Sequence, residues 1–166
     1  MIFADIPAGE SVFIDANVFV YDFGPDPDFG PPSRDFLERV ERGELRGYVS
    51  THILHETAHR LMTVDAYQTY AWPYAGIGRR LRRHPHEVQQ LHRYHEALSD
   101  IVGCGVIVLP VSTQHILLAA DLSRANGMLS GDALVLAVMQ SYGLANLAST
   151  DADFDRITGI NRFAPV

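Results

Sequence analysis

His55-Glu56-Thr57-Ala58-His59 has the spacing H-E-x-x-H. On a helix that spacing sets two imidazoles on one face with a glutamate beside them, the ligands and general base of a zinc peptidase. Glu56 also belongs to a second set. Asp15, Glu56, Asp132 and Asp151 lie far apart in the chain, yet each falls at a strand end, at a helix start or on a helix, where a fold can bring it to one rim. Clustered carboxylates repel one another, so such a pocket implies a cation. A hard ion such as Mg²⁺ takes oxygen ligands. Two such ions can flank a phosphate, activate a water and stabilise the leaving oxygen. Taken singly, each acid has a structural reading: Asp15 as a turn former, Asp132 and Asp151 as helix N-terminal residues, Glu56 as a solvated side chain. Their co-occurrence carries the metal reading.

The elements that must position these residues are legible in outline. "SVFIDANVFVYDF" opens as a β-rich apolar run from Val12 to Ile14 and then meets Asp15. "GPDPDFGPPS" reads as a loop from its Pro and Gly content. "SRDFLERVERGE" reads as a helix capped by Ser33. "RGYVS" reads as a short strand, and "THILHETAHRLMTV" as a helix with an apolar stripe of Ile53, Leu54, Ala58, Leu61 and Met62. After an aromatic stretch interrupted by Pro73, "IGRRLRRH" and "HEVQQLHRYHEALSDIVG" read as two helices separated by Pro85. "GVIVLPV" reads as a buried strand. "STQHILLAADLSRANG" reads as a helix between the cap Ser112 and the stop Gly127, and "SGDALVLAVMQSYG" as a very apolar one. "ANLAST", a short helix from "DADFDRI", and "RFAPV" as a last strand complete the order. Strands alternating with helices predict an α/β domain with a central, mostly parallel sheet flanked by helices. In such sheets, sites form beyond the carboxyl ends of the strands, where Asp15, Asp151 and Asp153 fall.

Composition narrows the classes. The chain has 166 residues, the size of one domain, and we read 1–166 as such. Its single cysteine, Cys104, excludes a disulfide framework and a cysteine-based zinc site, and reads as a small buried hydrophobe. No apolar run reaches 18 residues and the first ten residues lack a basic n-region, so no membrane span and a cytoplasmic protein are expected. The net charge of −7 argues against a general nucleic-acid coat but not against acids holding a metal at a phosphate.

Three blocks carry a resemblance. "FIDANVFVY" is similar to the opening of PIN-domain ribonucleases, an apolar strand running into Asp-x-Asn. "VSTHILHE" resembles their second block, a strand ending in Ser or Thr before a helix that bears the second acid. "GDALVLAVMQSYGLANLASTDADFDRI" resembles their closing block. The order and spacing of all three fit, and the type they most resemble is the VapC toxin of toxin–antitoxin modules. The resemblance implies a three-layer PIN-like α/β domain and an endoribonuclease that uses Mg²⁺ or Mn²⁺ and leaves a 5′-phosphate and a 3′-hydroxyl. It implies that Asp15, Glu56, Asp132 and Asp151 are the catalytic, metal-binding acids, with Asp153 either a further ligand or a holder of the loop. It implies supporting roles for Asn17 and Ser149, a small antitoxin as partner, and a homodimer. A related module that binds RNA or protein without cutting is the alternative. The zinc reading lacks its third ligand in the pattern His-x-x-Gly-x-x-His and gives no role to "FIDAN" or "STDADF".

The middle of the chain, roughly residues 66–105, falls outside these blocks. "GRRLRRHPHEVQQLHRYHEA" holds five of the thirteen arginines in a chain of negative charge, a local asymmetry. Arg79, Arg80, Arg82 and Arg83 are candidates for steering an RNA backbone toward the acids, or they form a solvated helix face. Tyr67, Tyr70, Trp72 and Tyr74 are open to three readings: core, a groove for a partner helix, or stacking on unpaired bases.

Overall fold

The computed structural model describes residues 1–24 and 26–166. Pro25, in the loop expected after Gly24, lies outside them. The strands are β1 (Ser11–Ile14), β2 (Arg46–Ser50), β3 (Ile107–Leu109), β4 (Asn146–Ala148) and β5 (Asn161–Phe163). The helices are α1 (Ala16–Phe23), α2 (Gly30–Glu41), α3 (Thr51–Tyr70), α4 (Ile77–Arg83), α5 (Pro85–Gln90), α6 (Arg93–Gly103), α7 (Thr113–Asn126) and α8 (Ser130–Ser141), with 3₁₀ turns at Phe3–Asp5 and Ala152–Arg156.

All five strands run parallel, in the order β3-β2-β1-β4-β5. Phe13 of β1 sits between Tyr48 of β2 and Leu147 of β4. Val12, Phe13 and Ile14 are all fully buried. Successive strand residues point to opposite faces, so both faces of the sheet are covered and the three-layer α/β architecture follows. The helix α8 buries every residue from Ala133 to Met139, as expected of a helix apolar all round. The strand order reverses at β1, so the crevice between the carboxyl ends of β1 and β4 is the natural site.

Several boundaries differ from the sequence reading. Helix α2 starts three residues before Ser33, because Pro31 and Pro32 occupy its first turn, where a missing N–H costs nothing. Ser33 is therefore not a cap; it is fully buried within the helix. Helix α3 runs on through "DAYQTY" to Tyr70 and stops where Ala71 turns left-handed (φ 51°) ahead of Trp72-Pro73. The extension has a cause: Asp65 is buried and its Oδ2 accepts from the Tyr94 amide at 3.4 Å, so α3 caps the start of α6. That cap splits the expected helix of residues 86–103 into α5 and α6, and Pro85 opens α5. The strand β3 lies at the sheet edge with Ile107 45 % exposed, not buried as "GVIVLPV" suggested. Cys104 is half-buried, its thiol donating to the Ile101 carbonyl.

The aromatic stretch divides. Tyr70 and Trp72 stack with centroids 4.7 Å apart against a small second core of Ala66, Ile77, Leu81 and Leu91, while Tyr67 and Tyr74 stay exposed.

Gly47 of β2 faces α2 so closely that an added Cβ would lie 2.7 Å from Val40 Cγ1 and 3.0 Å from Ile14 Cδ1. Gly47→Ala is expected to cost about 1–3 kcal/mol through overpacking, read as a lowered urea midpoint. An unchanged midpoint would show that α2 does not pack on the sheet this closely.

Candidate active site

Asp15 follows β1 directly and caps α1, accepting from the Ala16 amide at 2.7 Å. Its other oxygen, Oδ2, accepts from the Ser149 hydroxyl at 2.6 Å and from the Asn17 side-chain amide. Asn17 Nδ2 also donates to Ser149 Oγ at 3.2 Å, and its Oδ1 receives the Thr150 amide at 3.3 Å. Ser149 Oγ in turn accepts from the Asp151 amide at 3.0 Å. Asn17 and Ser149 are buried. This network joins the ends of β1 and β4 and fixes the loop that carries Asp151 and Asp153.

Asp151 caps the 3₁₀ turn by accepting from the Asp153 amide at 2.8 Å. Asp132 sits in the first turn of α8. Oxygens of Asp132, Asp151 and Asp153 lie within 4.8 Å of one another. Asp153, the less certain member in the sequence reading, belongs to this triplet geometrically. Asp15 and Glu56 stand outside the triplet but close enough to act on it. Burial, then Asp151, Asp15, Asp153 and Glu56, push the Asp132 carboxyl up to about 6. The first turn of a helix favours a carboxylate by only about 0.3–1 kcal/mol, and here desolvation and like charge outweigh it. Asp15 is also raised, chiefly by burial, against the opposing hydrogen bonds from Ser149 and Ala16.

Glu56 is half-exposed on α3 and lies 3.7 Å from Arg60, one turn on. The sequence reading passed over Arg60, although its i+4 spacing from Glu56 was visible. It also missed Arg162, which grips Asp155 with two bonds of 2.7 and 2.8 Å and donates to the Ser149 carbonyl at 3.1 Å. No spacing in the sequence ties Arg162 to residues in the preceding loop. His55 and His59 are both exposed on α3. Among the described residues neither joins a group of three metal-ligating side chains, and the one such group is all carboxylate. The four arginines of α4 are exposed on a separate element.

Residues 12–160 match the PIN domain family model. The chain belongs to the PIN-domain family. It is 27 % identical over 154 residues to the ribonuclease VapC13 of Mycobacterium tuberculosis, spanning 92 % of this chain and 99 % of that one. Its fold is similar to that of VapBC2 from Rickettsia felis, solved on a promoter DNA fragment (TM-score 0.58, 14 % identity, 93 % of this chain and 98 % of that one). It is similar again to the sarcin-ricin loop-cleaving toxin VapC20 of Mycobacterium tuberculosis (TM-score 0.57, 20 % identity, 87 % and 92 %). As a PIN domain, the protein places its three closing-block acids, Asp132, Asp151 and Asp153, in one cluster at the switch point of the sheet.

The raised Asp132 carboxyl has a consequence for stability. The unfolded chain ionises it near 3.8 and the folded chain near 6. Between these values the folded state holds more protons, so stability falls as pH rises and the penalty is complete above about 6. Asp132→Asn is expected to raise the melting temperature at pH 7.5 by about 2–4 °C, roughly 1 kcal/mol once solvent screening is discounted. The gain should vanish toward pH 4. A gain independent of pH would show that the burial and crowding of the Asp132 charge are not its source.

Proposed function

We propose that the protein is a divalent-metal-dependent endoribonuclease, the toxin of a VapC-type toxin–antitoxin pair, contained in one domain and acting in the cytoplasm. The observation that carries this reading is the Asp132–Asp151–Asp153 triplet beside Asp15 and Glu56 at the β1/β4 crevice of a PIN domain. Ribonuclease VapC13 and the sarcin-ricin loop-cleaving toxin VapC20 support the substrate class by what they act on.

The donor set fits a hard cation. All its atoms are carboxylate oxygens, and burial together with their mutual repulsion raises the Asp132 carboxyl to about 6. Asp132, Asp151 and Asp153 would hold Mg²⁺ or Mn²⁺, with Asp15 and Glu56 completing the acidic rim. When bound, the ion supplies water activation and charge neutralisation at the phosphate. The protein's own residues do the positioning. Asn17 and Ser149 aim the Asp15 carboxylate and lock it to the Asp151 loop. Arg162 steadies the same loop from the other side through Asp155 and the Ser149 carbonyl.

The partner expectations also find support. A groove of about 510 Å³ between α1, α2 and α6 has an apolar floor (Phe19, Phe23, Leu37, Ile101) and an acidic rim that includes Glu38, Glu41 and Asp100. It suits a basic amphipathic segment of an antitoxin. On α7, Ile116 and Leu117 are 51 and 64 % exposed, an apolar outer face suited to pairing with a second copy. Leu117→Glu is expected to shift a dimer to monomer in light scattering; a monomer in the parent protein would remove the dimer from the reading.

Cleavage of a labelled RNA panel tests the activity. Cutting is expected with Mg²⁺ or Mn²⁺, none with EDTA, and none in Asp15→Asn, whose melting should stay cooperative. Asn17→Ala and Ser149→Ala should lose about 10–100-fold as supports of the acid site. His55→Ala should still cut. Full activity in Asp15→Asn would overturn the acid site, and one zinc per chain that His55→Ala removes, in a protein that cuts no RNA, would restore the peptidase reading. A folded protein that binds RNA but cuts none with any metal would favour the non-cutting module.

A further inference from the structure

Helix α3 leads away from the acids into a second cavity. Three residues beyond Glu56, about 4.5 Å along the axis, His59 forms the near edge of a groove of about 430 Å³. Met62, Leu81 and Val88 give it an apolar lining together with Thr63 and Gly78, and Arg82 of α4 borders it as His59 of α3 does. The volume falls within the range of ligand sites. The floor is apolar, and the polar groups at the edge are a planar imidazole and a planar guanidinium. The wall opposite α3 is α4, which presents Arg79, Arg80, Arg82 and Arg83 to solvent. Among the described residues none of the four pairs with a carboxylate, in a chain of net −7. Arg82 bonds only the Gly78 carbonyl of its own helix, and Arg80 rests over Trp72 at 5.7 Å. Cations without carboxylate partners beside an open apolar groove that begins one turn from Glu56 match a single-stranded nucleic acid, whose phosphates need the cations and whose splayed bases need the groove.

We propose that the groove between α3 and α4–α5 is a base-binding subsite for single-stranded RNA, with one unpaired base held between His59 and Arg82 over Met62, Leu81 and Val88. This rests on the ribonuclease reading for its substrate and adds where sequence preference arises. The arginines of α4 take the flanking phosphates, and the subsite fixes which nucleotide stands a short distance from the acids. A base pair cannot enter a slot that grips both faces of one base, so the subsite selects unpaired RNA.

The test is equilibrium binding of a short fluorescein-labelled single-stranded RNA, intact or with one abasic nucleotide at each position in turn. The protein is the full chain in the Asp15→Asn background with Mn²⁺, alone and with His59→Ala, Arg82→Ala or Arg82→Lys, each checked by melting. One abasic position is expected to weaken binding about tenfold, and His59→Ala and Arg82→Ala to weaken the intact RNA by about the same factor. The losses should not add: the abasic RNA should bind parent and variants alike. Arg82→Lys keeps the charge without the plane and should fail to restore affinity. Equal losses at every abasic position, or full rescue by lysine, would reduce the groove to a phosphate contact and overturn the subsite. So would variants that keep RNA affinity but lose a co-expressed antitoxin. Cleavage by the wild-type chain without this coupling would overturn the subsite and leave the nuclease standing. Coupling without cleavage would support the subsite while the nuclease reading fails, and absence of any RNA binding would overturn both.

Discussion

Carboxylates held together against their own repulsion set the terms for the rest of the structure. Asp132, Asp151 and Asp153 come from two elements, α8 and the loop after β4, and Asp15 comes from a third. Left free, these side chains would separate into water. They do not, because the backbone beneath them is held by groups that cannot move. Ser149 and Asn17 are buried, and between them they bond Asp15, Thr150 and the Asp151 amide. The bonds cross between two central strands that are fully covered on both faces. Core packing therefore opposes the mutual repulsion of the site, which adds to burial in raising the Asp132 carboxyl. Such stored repulsion is what a cation would release on binding.

Charge is distributed in the opposite sense around α4. The acids sit at the ends of the sheet strands, and the arginines sit on α4, which packs on a small core of its own. The two are connected through α3. That helix begins at Ser50 at the end of β2, carries Glu56 at the acidic rim, and reaches the second core with Ala66 and Tyr70. Its buried positions Ile53, Thr57, Leu61 and Asp65 recur every four residues, so its orientation is set along its length. A rigid helix transmits position: whatever anchors α4 to α3 also fixes the distance between cations and acids.

Much of this was legible because local and global signals agreed. Val12–Ile14 running into Asp15, the cap Ser112, the stop Gly127 and the apolar body of α8 from Ala133 to Met139 were each legible locally, and each is found. The closeness of Asp132 and Asp151 was legible because a parallel sheet puts its site beyond the strand ends, whereas Asp153 joined them more firmly than its place in the sequence suggested and Asp15 and Glu56 lie outside the triplet. What stayed hidden depended on long-range contacts. Ser33 looked like a cap, but the two prolines before it start the helix earlier. The break at residues 91–92 follows from Asp65, 29 residues upstream of the amide it binds. Arg162 meets Asp155 and Ser149 only once β5 is laid beside β4.

The H-E-x-x-H spacing shows why a motif needs its surroundings. Periodicity put His55, Glu56 and His59 on α3, and they are there. Helix geometry alone would make them a zinc face, yet only Glu56 turns toward the other acids enough to act on Asp15 and Asp132. His59 instead opens onto an apolar groove with an arginine across it. The residues that a zinc peptidase would draw to one ion are thus shared between two neighbouring surfaces, an acidic one and a basic one. That division suits the proposed substrate, whose scissile phosphate would meet the acids through a cation while its flanking phosphates meet the arginines and an unpaired base meets the apolar groove.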